Sequence, residues 1–376
     1  MHLDQLKLWF KTYQEKSLFH RYINNDFIEP LLQKLPYRFQ VSEIGKSVNG
    51  ESIYKVQFGT GSKKLLFWSQ MHGNESTTTK ALFDMFNLFS GDEKVINSIL
   101  KACTVVVIPI LNPDGARAYT RLNANNIDLN RDAQDLSQPE SKILRQLFDI
   151  FKPDFCFNLH GQRTIFSAGN TNKPATVSFL APAQDKDCTV TNNRKKAMEV
   201  IAEINTTLQI QIPNQVGVYD DAFNINCVGD TFQSHNVPTI LFEAGHYVND
   251  YDREKTRIFI FQSLFVSIDY ITNHEVSGEF YKPYLKIPMN QKLFYDIIIR
   301  NSDKGDIAVQ YQERLIDNKI VFIPKIEKIS KLNGCYGHKE LDANGSKVLF
   351  ANEAVLKVGD ENDFVFVNGE KYALTP

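Results

Sequence analysis

The stretch Gln70-Met71-His72-Gly73-Asn74-Glu75-Ser76 sets a histidine and a glutamate three residues apart on a glycine-containing turn. It follows residues 63–69, KKLLFWS, a short apolar and aromatic run of the kind an interior strand of an α/β sheet requires. His72 thus leaves the C-terminal end of a buried strand, and Gly73 lets the backbone fold over so that imidazole and carboxylate reach one cation. Zinc leads the ions suited to such mixed nitrogen and oxygen ligation. By itself the pair also fits a capping glutamate beside an incidental histidine, so its meaning depends on a third ligand and a base elsewhere.

Downstream, Ala81, Leu82, Met85, Phe86 and Leu88 fall on helical spacing within residues 77–89, which puts the turn at a strand-to-helix junction, where open α/β sheets place ligands. Residues 103–110 read as another buried strand by their β-branched run, delivering the turn Asn112-Pro113-Asp114-Gly115. The following residues, 116–132, are polar and rich in Arg and Asn, a composition suited either to gripping a planar anion or to a solvated surface loop. Ser137, Pro139 and Glu140 predict an N-cap, first turn and capping box for a helix reaching residue 151. A third buried strand, 155–161, ends in His160-Gly161, repeating the strand-end arrangement of His72 and supplying the missing ligand. Residues 177–180 predict a strand, 193–209 a helix and 215–231 a loop. Glu243 then closes an otherwise apolar strand, where a carboxylate is costly unless paired, ligated or catalytic.

Upstream, residues 3–35 carry apolar positions at helical spacing, and two strands, 39–43 and 53–58, flank the hairpin signal Asn49-Gly50. The chain has 376 residues and a net charge of -2, without a basic tract that would track a phosphate backbone. Nucleic acid is excluded as a partner on that balance. No apolar run of spanning or signal-peptide length occurs, which gives the expectation of a cytoplasmic protein with no membrane partner. The five cysteines are odd in number and widely spaced, and read as reduced.

Taken in order, HGNE (72–75), NPDG (112–115), Arg121 with Asp128-Leu129-Asn130-Arg131, and the strand ends His160 and Glu243 resemble the zinc carboxypeptidase family, the carboxypeptidase A-like metallopeptidases, in a shorter bacterial-type form. The resemblance covers roughly residues 36–270. It implies an α/β fold, a mixed twisted sheet flanked by helices in an α/β/α sandwich. It implies one Zn2+ per chain on His72, Glu75 and His160, the ligand set of carboxypeptidase A, with Asp128 accepting the second ring proton of His72. Glu243 would be the general base toward the attacking water, and Arg121 would stabilise the oxyanion, with Arg117 as the alternative. Asn130 and Arg131 would hold the terminal carboxylate of a peptide substrate, and Tyr219 would cover the pocket. His235 and His246 read as structural. Asp220, Asp221 and Asp230 sit in the expected pocket loop, where they would favour a basic side chain or simply be solvated.

Residues 276–376 alternate short strands, at 293–300, 320–323, 347–351, 354–358 and 364–367, with polar turns. The expected organisation is therefore an N-terminal helical segment (1–35), a catalytic domain (36–275) and a small β-rich C-terminal domain (276–376). The reading is a metallocarboxypeptidase acting on peptides with a free C-terminal carboxylate. The rivals are a zinc deacylase of N-acyl amino acids, resembling the aspartoacylase and succinylglutamate desuccinylase group, and a non-catalytic carboxylate-binding module. Side-chain preference and oligomeric state are not encoded in any pattern found.

Overall fold

The computed structural model describes residues 3–350 and 354–376. In chain order its first strands are β1 (Gln40–Lys46), β2 (Ser52–Phe58), β3 (Lys63–Ser69), β4 (Cys103–Ile108), β5 (Phe155–Gly161), β6 (Phe166–Ala168), β7 (Val177–Leu180), β8 (Val216–Val218) and β9 (Thr239–Ala244). All but β6 join one eight-stranded mixed sheet in the order β1-β2-β4-β3-β5-β9-β7-β8. β3 is parallel to β4 and β5, and β5 is parallel to β9, so the strands that end in His160 and Glu243 finish side by side with His160 opposite Glu243. β1 and β2 form the edge hairpin that Asn49-Gly50 predicts.

The helices are α1 (Leu3–Tyr13), α2 (Asn25–Leu32), α3 (Thr77–Ser90), α4 (Lys94–Ala102), α5 (Pro113–Ala118), α6 (Pro139–Phe151), α7 (Asn192–Gln209), α8 (Val228–Ser234) and α9 (Glu254–Asn273). They cover both faces of the sheet, as the two-residue period of its strands requires. Leu65, Phe67, Val105, Val107 and Phe157 belong to the core under α3, α7 and α9, whereas Leu66, Trp68, Val106, Ile108 and Cys156 belong to the core under α6 and α8. This is the expected α/β/α sandwich. α1 lays Trp9 on Phe265 (5.0 Å between ring centres) and Phe10 on Phe261 (5.6 Å). A fully buried ion pair ties the same region together: Arg257 donates to Asp84 through Nε (2.7 Å) and Nη2 (2.6 Å), and to the Leu18 and Glu15 carbonyls.

Several local expectations are corrected. Asn112-Pro113-Asp114-Gly115 opens the short helix α5, with Asn112 as its N-cap accepting from the Gly115 amide at 2.9 Å. Pro at the first turn suits a helix start as well as a turn. Gln138, not Ser137, precedes α6, because Ser137 donates instead to Asp132 (2.7 Å). Glu140 makes no capping box and is buried, accepting from the Val48 amide (3.2 Å) and the Asn123 side chain (3.3 Å). The 215–231 segment is not all loop: it contains β8 and enters α8.

The last third adds β10 (Asn290–Lys292), which pairs with β6, then β11 (Phe294–Ser302), β12 (Gly305–Ile316), β13 (Lys319–Ser330) and β14 (Tyr336–Asp342) in a sheet ordered β13-β12-β11-β14. β15 (Val348–Leu349), β16 (Phe364–Val367) and β17 (Glu370–Ala373) make a three-stranded sheet. The long strand β12 and the strand β14 escape the sequence pattern, because their exposed and half-buried stretches carry polar side chains with no clean alternation. Residues 354–358, expected as a strand, contribute a single bridge, Leu349 with Val355, and the expected strand at 347–351 runs into residue 351, outside the described residues.

This β region packs against the main sheet through polar and aromatic groups. Gln310 Nε2 donates to Thr164 Oγ1 (2.8 Å), the Tyr251 hydroxyl to Asp296 (3.0 Å), and Arg21 pairs with Glu313 (2.5 Å). His338 stacks on Phe294 (4.5 Å) with its Nε2 on the Thr164 carbonyl (2.8 Å), and His246 lies 4.3 Å from it with neither ring nitrogen hydrogen-bonded. Burial, with Arg253 nearby, pushes His338 down to about 4 despite its carbonyl partner. Burial also pushes His246 well below the usual histidine range, reinforced by His338, Arg253 and Arg21. Both histidines are held neutral, so their contribution to stability is complete above about pH 6.5 and is lost as the pH falls through the folded-state values, at about 1.4 kcal/mol per pH unit for each. Urea unfolding of the chelator-treated protein at successive pH values should show this loss, and His338→Gln should flatten it; an unchanged slope in the variant would contradict the assignment.

Candidate metal centre and cleft

Each ligand candidate reaches the site from a strand end. β3 leaves the sheet through Gln70, whose backbone is left-handed (φ 46°) although the residue is fully buried. Its side chain holds this costly conformation by donating to the Ile23 (2.9 Å) and Gly73 (2.8 Å) carbonyls. Gly73 is obligatory for a different reason: a Cβ there would fall 1.9 Å from the Gly115 backbone. NPDG therefore serves as the surface against which the HGNE turn closes. Asp114 extends the same brace, accepting from Ser47 Oγ (2.8 Å) and the Asn49 amide (3.0 Å).

His72, Glu75 and His160 then converge. Their potential ligand atoms lie within 4.8 Å of one another, and this is the one group of its kind among the described residues. His72 Nδ1 is 2.9 Å from Glu75 Oε1, His160 Nδ1 is 3.0 Å from Glu75 Oε2, and the two Nδ1 atoms are 3.1 Å apart. Two imidazole nitrogens and one carboxylate packed this closely form a zinc-type donor set. Burial raises the Glu75 carboxyl, but the two imidazoles outweigh it and hold the group well below the usual carboxylate range. On its other side His72 meets Asp128 (Nε2 to Oδ1, 3.0 Å), which also accepts from the Asn130 amide (2.9 Å) and from Arg121 Nη2 (3.0 Å). Asp128 thus orients the ring while its own charge is offset. Burial opposes that charge, yet His72 and Arg121 bring the Asp128 carboxyl below the ordinary range.

Glu243 is half-buried and lies opposite His160, and its enclosed Oε2 has no hydrogen-bond partner among the described residues. Burial first, and the charge of Glu75 second, push its pKa well above the usual carboxylate range. A cavity of about 440 Å3 opens here, lined by His72, Glu75, His160, Glu243, Arg121, Asn130, Arg131 and Tyr219, so every site candidate except Asp128 faces one space. Arg131 is exposed, and its guanidinium donates to the neighbouring Asn130 carbonyl (2.8 Å) and lies beside the Cys227 thiol. Asn130 uses its carbonyl oxygen to accept from Val228 at the start of α8 (3.1 Å), which fixes the carboxamide in the wall. Tyr219 rests edge-on against Phe166 (5.3 Å). Arg117 pairs with Asp26 (2.8 Å) and Glu51 (2.7 Å) and does not line the cavity, whereas Arg121 lines it with Nη1 3.5 Å from Glu75.

Of the pocket-loop aspartates, Asp221 pairs with Arg194, while Asp220 and Asp230 line the cavity. Burial pushes Asp230 up to about 6. Asn158, two residues before His160, lines the same cavity; it is fully buried, and both polar atoms of its side chain lack partners. Sequence reading missed it, although an asparagine inside the apolar strand 155–161 was the available signal.

Residues 24–201 match the family model described as zinc carboxypeptidase, a segment that contains His72, Glu75, Asp128, Asn130, Arg131 and His160 and stops short of Tyr219 and Glu243. The resemblance read from the sequence is upheld: the segment that carries these residues matches the zinc carboxypeptidase model. Among curated relatives, the probable carboxypeptidase 2 of Trichophyton verrucosum is 29% identical over 155 residues, 41% of this chain and 27% of the relative. The chain thus matches only about a quarter of that relative's length. Among solved structures, a putative carboxypeptidase A from Shewanella denitrificans (TM-score 0.55, 17% identity, 65% of this chain and 67% of that one) shares the fold. So does a metallo-carboxypeptidase from Burkholderia cenocepacia (TM-score 0.51, 18% identity, 64% and 67%).

The Asp128 contact yields a direct test. Asp128→Asn should leave the fold intact and weaken zinc binding by about 10–100-fold, measured by competition with a chromophoric chelator; unchanged affinity would contradict its orienting role.

Proposed function

We propose that the protein is a zinc metallocarboxypeptidase that hydrolyses the C-terminal peptide bond of peptides. The observation that carries this reading is Glu243: a half-buried carboxylate, whose enclosed Oε2 has no partner among the described residues, sits opposite His160 in a cavity whose wall also bears the exposed guanidinium of Arg131. A metal-binding module without chemistry has no physical need for that costly group. His72, Glu75 and His160 would hold one zinc ion, which would supply polarisation of the scissile carbonyl and acidification of a water molecule.

The chain's own residues do the rest. Glu243 takes the proton of the attacking water on its free carboxylate oxygen, and its enclosed, negatively charged surroundings favour the protonated form it then becomes. It passes that proton to the departing amine. Arg121 donates to the oxyanion from the rim of the cluster. Arg131 and Asn130 grip the terminal carboxylate, which confines cleavage to the last residue, and Tyr219 covers the bound side chain. Side-chain preference follows from the floor of the cavity, where Asp230 and Asn158 offer polar partners.

Glu243→Gln should keep its zinc and lose turnover of peptides by about 10³-fold, measured by elemental analysis together with release of the C-terminal amino acid. Retained activity would contradict the assignment of the base. In the same assay the wild-type protein should release amino acids from peptides, and hydrolysis confined to N-acyl amino acids would move it to the deacylase class.

A further inference from the structure

The metal centre opens on two sides. Glu75, Arg121, Gly161, Gln162 and Arg163 line both the cavity described above and a second one of about 470 Å3. If the first holds the residue to be released, the second receives the chain that precedes the scissile bond, so a role for it in substrate binding rests on the proposed peptidase activity. One wall of this second cavity is the run Tyr311, Gln312, Glu313 and Arg314 from β12, contributed by the C-terminal sheet.

Its charge is one-sided. Arg21, Arg121, Arg163, Arg253 and Arg314 line it, against two acids, Glu75 and Glu313. Neither acid is free: Glu75 belongs to the metal centre, and Glu313 accepts from Arg21 (2.5 Å) and the Tyr119 hydroxyl (2.6 Å). Two arginines are left without a carboxylate. Arg163 is exposed and makes no hydrogen bond or ion pair among the described residues. Arg253 is only 2% exposed, yet it meets only main-chain carbonyls, Gln162 O at 3.1 Å and Ala244 O at 3.5 Å, and its Nε has no partner. A buried guanidinium with no carboxylate in direct contact is costly unless something else brings the anion. Burial and the neighbouring Arg21 push Arg253 down to about 10, although Glu313 and Asp250, which do not hydrogen-bond to it, act in the other direction.

We propose that this second cavity is a subsite for an acidic side chain on the peptide, so that Glu or Asp just upstream of the scissile bond is preferred, with β12 of the C-terminal sheet as its outer wall. Arg163 is the group that meets the carboxylate and Arg253 supplies fixed positive potential behind it, whereas Arg314 on β12 is paired with Glu361. The arrangement gives the C-terminal region a role in the reaction that the metal centre alone does not reveal.

The test is equilibrium binding of fluorescent peptides to the Glu243→Gln protein, using peptides that share one C-terminal residue and carry Glu, Gln or Lys immediately before it. The Glu peptide should bind about tenfold more tightly than the Gln peptide, as a charge-assisted hydrogen bond implies, and the Lys peptide more weakly than both. Arg163→Gln should bring the Glu-to-Gln ratio close to one, and high salt should compress it. Equal binding of all three peptides, or an Arg163→Gln ratio equal to that of the parent, would overturn the proposal. The same peptides given to the wild-type protein separate the two readings. Turnover without a charge preference defeats the subsite alone, whereas a binding preference without turnover defeats the peptidase reading and leaves the acidic subsite standing.

Discussion

The parallel alignment of β3, β5 and β9 is the constraint on which the rest of the structure depends. Because β5 and β9 pair with His160 opposite Glu243, a ligand and a half-buried carboxylate arrive at the same level without any loop to position them. β3 ends beside them, and its αL residue Gln70 turns the chain so that His72 and Glu75 face the same point. A slip of one residue between β5 and β9 would send one of the two side chains to the opposite face of the sheet. The continuous apolar runs of these strands, buried on both faces, fix that register: Phe157 stacks on Phe67 at 4.0 Å with the rings nearly parallel, and Phe242 packs behind.

Burial then becomes an electrostatic instrument. Three carboxylates meet near one point and are treated differently. Glu75 is surrounded by imidazole and is held ionised; Asp128 lies between His72 and Arg121 and is held ionised as well; Glu243 has no partner and is pushed toward protonation. Environments that drive neighbouring acids apart are how a site assigns a ligand, an orienting group and a proton carrier to the same chemical type. The same separation appears among the arginines. Arg117 and Arg21 are consumed by structural ion pairs, while Arg131 and Arg163 remain open to the two cavities.

The convergence of the candidate residues was legible because its signals are local and redundant. Short apolar runs ending in His72, His160 and Glu243 mark strand ends, and Arg121 through Arg131 carries a spacing that few loops share. What escaped depends on partners distant in sequence. That Asp114 braces the β1–β2 turn, that Glu140 is a buried acceptor rather than a cap, and that Ser137 serves Asp132 are facts of tertiary hydrogen bonding. β12 was missed because part of it faces the cleft, where polar and charged side chains interrupt the alternation that would mark a strand. Arg253 carries no signal in the sequence; only its burial with no carboxylate in direct contact gives it meaning.

The central claim is that Arg131 and the metal centre together read a free chain terminus. Its most direct test compares hydrolysis of one peptide with a free C-terminal carboxylate and of its C-terminally amidated twin by the zinc-loaded protein. Cleavage of the free peptide, with the amidated twin slower by about 100-fold or more, is expected when a charge-assisted bidentate contact is lost. Equal rates on the two peptides would mean that no terminal carboxylate is held in the cleft and would contradict the account.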